Sequence, residues 1–575
     1  NQPGGAGVTD YKPNTELYKE RHWHSQYQAI NAFATYSHTF NNNHNLKAMV
    51  GFNQEWRRWE RTVAMRSGPI SEDLGSFNLA TGENIDLLGS KAEWAIRAAF
   101  YRFNYDYKGK YLIEFNGRFD LSSKFPHDNR LGIFPSGSVA WRMSEEKFFE
   151  PLRSWMDNLK LRLSFGTLGN QNVGEYDYIA KMKVNQGNYI ANGSYLNYLS
   201  TPGAISSNFT WEKSQTINAG IDLSFFNNRL SASFDWYQRD TRDMLTQGKE
   251  LPAVFGTEEP EENAADLRTR GFELSVNWRD RFNLWDAPFE YNIGVNLADN
   301  RTVITRFDNP SGNIDDFYVG KELGEIWGYT IEGFFQTDDE YLTHADQLLV
   351  NQRIRNYYLV NHPVAGDLKF MDINGDGEIT PGKQTLSDHG DLRRIGNTTP
   401  RYTLGVNLGF NYRGIDFSAF FQGILKQDWW PGDDNGYFWG PFTRQYLNFY
   451  PKSIESMSWT PENQDAYFPR LAVYAANEGG DYEGSQLRVI SDKYLQNAAY
   501  VRLKNITLGY TLPERICQKL KIIRSIRMYV SGENILTFSP LYKNNPDRTV
   551  DPEQLGNGNA YPFSKTFAFG FDIKF

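Results

Sequence analysis

Hydrophobic and polar residues alternate in short segments along most of the chain. The alternation is clearest in residues 566–575, where Phe567, Phe569, Phe571, Ile573 and Phe575 are separated by small or polar residues. A period of two places one set of side chains on each face of a β-strand. About ten residues are enough for a tilted strand to cross a bilayer. This segment therefore predicts a transmembrane β-strand.

Similar alternation recurs along the chain and predicts about fifteen strands. In the strand near 157–168, Lys160 and Arg162 lie on one face and leucines on the other. A Lys or Arg facing lipid costs about 2–4 kcal/mol near the bilayer midplane, so these charges are expected to face a wet lumen. The predicted strands lie near residues 26–40, 44–58, 92–107, 110–120, 133–142, 157–168, 214–226, 228–238, 268–278, 288–299, 401–412, 415–424, 500–510, 525–534 and 566–575.

Short and long connections alternate between these strands. Lys108-Gly109 and Arg413-Gly414 are tight turns. Outer-membrane barrels have short turns on the periplasmic side and long loops outside. The pattern predicts an all-β fold, a transmembrane antiparallel up-and-down β-barrel with short periplasmic turns. The long connections, predicted as extracellular loops, lie near 59–91, 169–213, 239–267, 300–400, 425–499 and 535–565.

The strand count also predicts how this chain relates to a complete barrel. Single-chain bacterial barrels have an even number of strands, whereas fifteen is odd. We therefore expect residues 1–25 to be the end of an extracellular loop. Residues 26–575 are then the C-terminal part of the barrel, and the earlier strands would precede Asn1.

Composition is compatible with this fold once the polar face of each strand is considered. A mean hydropathy of −0.60 and 22% charged residues would suggest a soluble protein, but barrel strands are only half apolar and their loops are polar. Aromatic residues make up 15% of the chain, as interfacial aromatic girdles would require. The net charge of −9 gives no basic patch, so we expect no nucleic acid partner. The single cysteine, Cys517, excludes an internal disulfide.

Sequence motifs of enzymes are missing from the chain. It contains no G-x-S-x-G, no phosphate-binding glycine loop and no H-E-x-x-H, and its eight histidines are scattered. We therefore expect no enzymatic activity.

Several segments resemble one family of outer-membrane proteins. LKLRLSFG at 159–166, WEKS at 211–214 and YVRLKNITLGY at 500–510 are similar to SusC/RagA-type TonB-dependent transporters. The resemblance covers nearly all of residues 90–575 in order. It implies a 22-stranded barrel in the bacterial outer membrane, of which this chain would supply strands 8 to 22. The C-terminal Phe575 resembles the signal that the barrel assembly machinery reads.

The resemblance also implies partners and an activity. Family members have a plug domain in the lumen, contact TonB, and carry a SusD-like lipoprotein lid over the outer mouth. They import oligosaccharides or peptides, and this chain resembles them in segments of the wall and loops. The alternative is a surface receptor or adhesin that the barrel only anchors in the membrane.

One loop has the spacing of a calcium site. Asp372, Asn374 and Asp376, followed by a glycine and Glu378, match the first two-thirds of an EF-hand-type loop, in which alternate oxygen ligands converge. The twelfth position is Lys383 instead of the usual glutamate. Two interpretations stay open, namely a calcium site of modest affinity and a tight polar turn held by Asx hydrogen bonds. No other cofactor is expected.

The 425–499 connection contains a cluster of aromatic and acidic residues. Aromatic rings can stack on sugar faces while carboxylates bind hydroxyl groups, which would make a substrate site. The alternative is that the rings pack the loop against its neighbours or against a partner. The candidate residues are Trp429, Trp430, Asp433, Asp434, Tyr437 and Trp439.

Overall fold

The protein is described from a computed structural model. It describes residues 17–70, 75–82, 85–191, 193–206, 209–248, 254, 256, 260–350, 362–432, 435–442, 452–471, 486–517, 522–548, 550–556, 560–561 and 563–575.

The described residues contain one sheet of fifteen strands, which follow one another in chain order. Neighbouring strands of this sheet run antiparallel. The prediction of fifteen antiparallel strands is confirmed. The strands are β1 Leu17–Phe40, β2 His44–Ser67, β3 Ile85–Tyr107, β4 Tyr111–Ser122, β5 Leu131–Arg142, β6 Met156–Asn170, β7 Glu212–Phe225, β8 Leu230–Gln247, β9 Glu261–Leu284, β10 Ala287–Arg306, β11 Arg401–Tyr412, β12 Ile415–Lys426, β13 Tyr500–Thr511, β14 Ser525–Phe538 and β15 Thr566–Lys574.

Several strands extend into ranges that the sequence predicts as loops. β1 begins at Leu17, inside the predicted 1–25 loop, and pairs with β2 as far as Ser67, inside the predicted 59–91 loop. In the predicted 239–267 loop, β8 continues to Gln247 and β9 begins at Glu261. The main-chain hydrogen bonds continue where the apolar alternation fades. The loop boundaries are therefore corrected, because alternation marks only the part of a strand with one apolar face.

The connections from β9 to β10 and from β11 to β12 are tight turns. Trp285-Asp286 joins β9 to β10 with φ of 44° and 64°, and Arg413-Gly414 joins β11 to β12 with φ of 48° and 85°. Two successive residues with positive φ are typical of the two-residue hairpin turn whose twist matches the flanking strands. Asp and Gly are among the residues that adopt this conformation most readily.

The long connections contain secondary structure of their own. Short strand pairs are Val184–Ala191 with Ser194–Leu199, Glu325–Gly328 with Arg393–Asn397, Ile331–Phe334 with Leu368–Phe370, Asp428–Trp429 with Gln496–Asn497, and Ser458–Trp459 with Phe468–Arg470. The α-helices are Gly436–Trp439, Ile454–Met457, Glu514–Cys517 and Leu541–Asn544. Single-turn or short 3₁₀-helices lie at Phe77–Leu79, His127–Asn129, Met143–Glu145, Lys147–Leu152, Glu340–Thr343, Gly440–Phe442 and Gln486–Arg488. Among the described residues, none of the helices has the length and apolar composition needed to cross a bilayer.

The chain divides into two compact units. One contains the chain up to Ser138 together with Gly166–Gln215 and Asp243–Ala264, and the other contains Val139–Phe165, Thr216–Arg242 and Ala265–Phe575. The first has a small core of buried Phe125, Phe134, Val173, Phe209 and Trp211. The second has a larger core, and its buried residues belong mostly to the connections after β10, β12 and β14.

Candidate functional site

One face of the sheet in the second unit carries paired charges. Arg162 on β6 donates to both carboxylate oxygens of Asp222 on β7, each at 2.9 Å. It also donates to both oxygens of Asp235 on β8 at 2.9 Å. Ser233 adds a hydrogen bond of 3.0 Å to Asp222. The sequence places Arg162 and Asp222 in the polar sets of their strands, and the structure brings both to one network.

A glycine makes this network possible. A Cβ atom at Gly220 would lie 2.5 Å from Oδ1 of Asp235 and 2.7 Å from Nη2 of Arg162. Both distances are shorter than real Cβ contacts, so the guanidinium occupies the space that a side chain at Gly220 would need. The small residue in the polar set of β7 therefore leaves room for a charge from β6.

A second ion network has the same composition. Arg527 on β14 donates to Asp416 on β12 at 2.8 and 2.6 Å and to Asp572 on β15 at 3.0 Å. Each network joins three strands through one guanidinium and two carboxylates. Hydrogen bonds to charged groups contribute about 1.5–3 kcal/mol, so these networks hold a polar face together while keeping it hydrophilic.

The connections after β10, β12 and β14 pack together, and we call their described residues within 307–400, 427–499 and 539–565 the loop module. Its core contains Phe370, Trp439, Phe468 and Tyr494, which have at most 1% of their surface exposed. The Trp439 ring lies 5.4 Å from Tyr494, and Phe468 stacks on Tyr494 at 6.0 Å. Burial raises the pKa of the Tyr494 hydroxyl well above its usual value. The loop module therefore has an interior like that of a soluble domain.

Polar side chains connect the three loops. The buried Gln486 accepts a hydrogen bond of 2.7 Å from the backbone N–H of Leu368, and Asp367 pairs with Arg470 at 3.0 Å. These contacts join the loop after β10 to the loop after β12. The Ser453 hydroxyl donates to Asp547 at 2.7 Å and joins the loop after β12 to the loop after β14.

The carboxyl group of Asp547 has a lower pKa than an ordinary aspartate. Hydrogen bonds from the hydroxyl and the backbone N–H of Ser453 lower the pKa of its carboxyl. This contact between two loops therefore depends on the ionised carboxylate.

Trp439 and Trp429 are in the core of the loop module. Trp439 is 0% exposed and Trp429 is 8% exposed. The Trp439 indole N–H donates to the carbonyls of Pro431 and Gly432 at 3.2 and 3.1 Å. Trp430 packs against the same core. For these three rings the structure favours packing over stacking on a substrate, because Trp439 and Trp429 are buried and the partly buried Trp430 contacts the same core.

The other candidates of the aromatic cluster are differently placed. Tyr437 is 39% exposed, so its ring is accessible to a ligand. Asp433 and Asp434 lie outside the described residues. The sequence does not separate Tyr437 from its buried neighbours, because the helix Gly436–Trp439 is a single turn and too short for periodicity to mark its inner side.

The Asp372 loop forms a tight polar turn. The Asp372 carboxylate accepts hydrogen bonds from the backbone N–H groups of Gly375 at 2.6 Å and Gly377 at 2.9 Å. Asn374 donates to Asp376 at 2.9 Å, and the N–H of Glu378 donates to Asp376 at 2.9 Å. In the described part of the chain, no three His, Cys, Asp or Glu side chains converge as metal ligands would. These Asx contacts favour the turn interpretation, and calcium binding stays a prediction.

Phe575 and Arg502 lie outside the aromatic cluster and the Asp372 loop. Phe575 is exposed at the end of β15, and its role as an assembly signal stays a prediction. Arg502, on β13, is fully buried at a cavity beside the loop module. Sequence reasoning placed Arg502 in a family segment but missed this cavity, whose walls come from separate parts of the chain.

Comparisons with known proteins give the family. Residues 1–535 match the family described as "TonB dependent receptor-like, beta-barrel". TonB-dependent receptor P3 of Formosa agariphila is 27% identical over 100% of this chain and 53% of its own length. TonB-dependent receptor SusC of Bacteroides thetaiotaomicron is 28% identical over 83% of this chain and 43% of its own length.

A solved structure agrees with these relatives. The RagAB peptide importer in its "open-open" state is 25% identical, with a TM-score of 0.74 over 97% of this chain and 56% of that one. The chain thus spans about half the length of the relatives it matches. It belongs to the TonB-dependent receptor β-barrel family and is an integral protein of the outer membrane.

Proposed function

We propose that the protein containing this chain imports oligosaccharides or peptides across the outer membrane. It works with a SusD-like surface lipoprotein and takes its energy through TonB. The observation that carries the proposal is the likeness to the RagAB peptide importer over 97% of this chain. The relative named SusC supports the same class of activity.

The structure supports a division of labour within this chain. The sheet supplies a wall whose polar face carries balanced ion networks, such as Arg162 with Asp222 and Asp235. The loop module supplies a folded surface on the outer side, where substrate and lipoprotein are captured. A preformed interior keeps that surface rigid, which lowers the entropy cost of binding.

Energised uptake is the experiment that tests this function. Cells with and without the whole protein are given radiolabelled oligosaccharide and peptide mixtures, with and without a protonophore. We expect accumulation that needs the protein and stops when the protonophore is present. Surface binding that is unchanged by the protonophore, without accumulation, would contradict import and support an anchored receptor or adhesin.

A further inference from the structure

Arg502 is a buried cation with one unsatisfied donor. Its side chain is 1% exposed. Its Nε donates to Thr537 at 2.8 Å, and its Nη2 donates to Asp551. Its Nη1 has no hydrogen-bond partner among the residues that the structure describes. A buried donor without a partner costs about 1–3 kcal/mol, so its presence requires an explanation.

Arg502 forms part of the wall of a cavity of about 600 Å³ in the second unit. The other walls come from residues 534–538 of β14, from the loop after β14, and from Tyr437 in the loop after β12. Binding sites for small molecules have volumes of about 300–1,000 Å³. The wall residues include Arg502, Tyr437, Phe538, Arg548, Asp551 and Lys565.

The charge of this cavity is positive. Arg502, Arg548 and Lys565 are its basic wall residues, and Asp551 is its only acidic one among the described residues. Asp551 already pairs with Arg502. No carboxylate in the described part of the chain forms an ion pair with Arg548 or Lys565. Arg548 and Lys565 are therefore solvent-exposed cations at the rim of the cavity, without a carboxylate partner among the described residues.

Arg548 is held in place by its backbone and by a ring. Its φ is +54°, a conformation that side chains other than glycine rarely adopt. Its guanidinium lies 4.6 Å from the centroid of the Tyr542 ring. Non-glycine residues with positive φ often cluster at ligand sites, where the surrounding structure maintains them. The contact with the Tyr542 ring places the exposed Arg548 guanidinium beside the cavity.

Aromatic rings at the cavity leave surface for the rest of a ligand. Phe538 is 62% exposed and Tyr437 is 39% exposed. The Arg502 guanidinium also lies 4.6 Å from the Phe563 ring. A ligand could therefore place a charged group near the cations and an uncharged sugar or side-chain face on Phe538 or Tyr437.

We propose that this cavity binds a carboxylate group of the imported molecule. Arg548 and Lys565 supply the positive charge that the carboxylate contacts, and the buried Arg502, which is paired with Asp551 and Glu553, presents its unsatisfied Nη1 donor behind them. The inference rests on the proposed import function and narrows its substrates to acidic ones, either acidic oligosaccharides or acidic peptides. A guanidinium fork matches the geometry of a carboxylate, which favours that group over an uncharged one.

The test is calorimetric binding to the purified whole protein in detergent. Two pairs of probes are compared: tetragalacturonate with its methyl ester, and a tetrapeptide of glutamate with one of glutamine. We expect one acidic probe to bind at least about tenfold more tightly than its neutral partner, or about 1.4 kcal/mol. The pair that shows the preference identifies glycan or peptide as the source of the carboxylate.

Three variants and a salt series separate this site from general electrostatics. Arg548→Gln and Lys565→Gln are each expected to weaken the acidic probe about fivefold to tenfold and to leave the neutral probe unchanged. Lys543→Gln, in the helix Leu541–Asn544 and outside the cavity walls, is the matched control and should change neither. For the wild-type protein, higher salt should weaken the binding of the acidic probe and leave the binding of the neutral probe unchanged.

Other outcomes overturn the proposal. Equal binding of acidic and neutral probes, binding of neither, or equal effects of all three variants would each contradict a carboxylate site. The measurement needs no energy source, so it is independent of uptake. If cells accumulate neutral substrates and the protein does not prefer the acidic probes, only the carboxylate site is contradicted. If the protein prefers an acidic probe but cells accumulate nothing, only the import function is contradicted.

Discussion

In β15, the rings of Phe567, Phe569 and Phe571 are 75%, 61% and 58% exposed, whereas in the loop module Trp439 and Tyr494 are 0% exposed. The two regions belong to one chain and use the same aromatic residues in opposite ways. The sheet presents rings outwards and pairs its charges on the other face. The loop module buries its rings, as water requires.

The contrast shows that residue type alone does not determine whether an aromatic side chain in this chain is exposed or buried. In the strands of an integral membrane protein, an exposed ring is in its preferred solvent, because lipid is apolar. In the loop module an exposed ring is unusual and a buried one is ordinary. The surroundings therefore have to be known before a ring such as Trp439 or Tyr437 is assigned to a ligand.

Of the changes considered, replacing a buried aromatic residue of the loop module should cause the largest loss of stability. Trp439→Ala deletes a fully buried side chain and its hydrogen bonds to two carbonyls. We expect the loop module to lose about 3–5 kcal/mol of stability while the sheet stays folded. Limited proteolysis should cut the loops faster, and circular dichroism of the strands should not change.

A control for this variant is available in the same loops. Leu342→Ala truncates a side chain that is 68% exposed and should leave the rate of proteolysis unchanged. Equal sensitivity of the two variants would contradict a packed core around Trp439.

A charge on the outward face of the sheet should have the next largest effect. Phe569→Arg places a cation where lipid is expected, at a cost of about 2–4 kcal/mol near the bilayer midplane. The free energy of unfolding in lipid vesicles measures this cost. Ala568→Arg, on the opposite face of β15, should cost much less. Equal costs at both positions would mean that the two faces do not differ in solvent.

Breaking an ion network tests the polar face of the sheet. Arg162→Met leaves Asp222 and Asp235 close together without a counter-charge. We expect a loss of about 1.5–3 kcal/mol in the free energy of unfolding. Lys160→Met changes a cation of the same strand and the same polar set, for which the described residues offer no ion pair. Similar losses in both variants would show that the network itself contributes little.

The smallest expected effect concerns the loop contact at Asp547. Its folded pKa is lowered from 3.8 by Ser453. The contact therefore stabilises the folded state above pH 3.8, and this contribution is lost as the pH falls through the lowered folded pKa. Asp547→Asn should thus weaken the loop module against thermal unfolding more at pH 6 than at pH 3. An equal difference at both pH values would assign the effect to shape instead of charge.

The fold could be predicted largely because strands repeat a simple pattern. Leu161 and Leu163 alternate with Arg162 in a way that only a two-faced strand explains. The strand ends could not be predicted, since the ladder from Leu17 to Ser67 continues where neither face is consistently apolar. Hydrogen bonds between backbones leave no mark in the sequence.

The candidate site was less accessible to sequence reasoning. The spacing of Asp372, Asn374 and Asp376 indicated either a metal loop or an Asx turn, and it cannot distinguish backbone N–H groups from a cation as the partner. Arg502 and Lys565 are 63 positions apart in the sequence, counting from 502 to 565, and meet only at a folded cavity. Contacts of this kind depend on how three loops pack, which no local pattern records.

The most direct test is to measure which solvent, lipid or water, contacts each face of β15. Single cysteines at positions 567 to 572 carry a spin label in the lipid-embedded protein, and collision rates with oxygen and with a water-soluble nickel complex are compared. The native Cys517 is 1% exposed and should remain unlabelled. We predict that oxygen access is highest at 567, 569 and 571, with nickel access highest at 568, 570 and 572. Equal access at neighbouring positions would contradict a sheet with one face in lipid and the other in water.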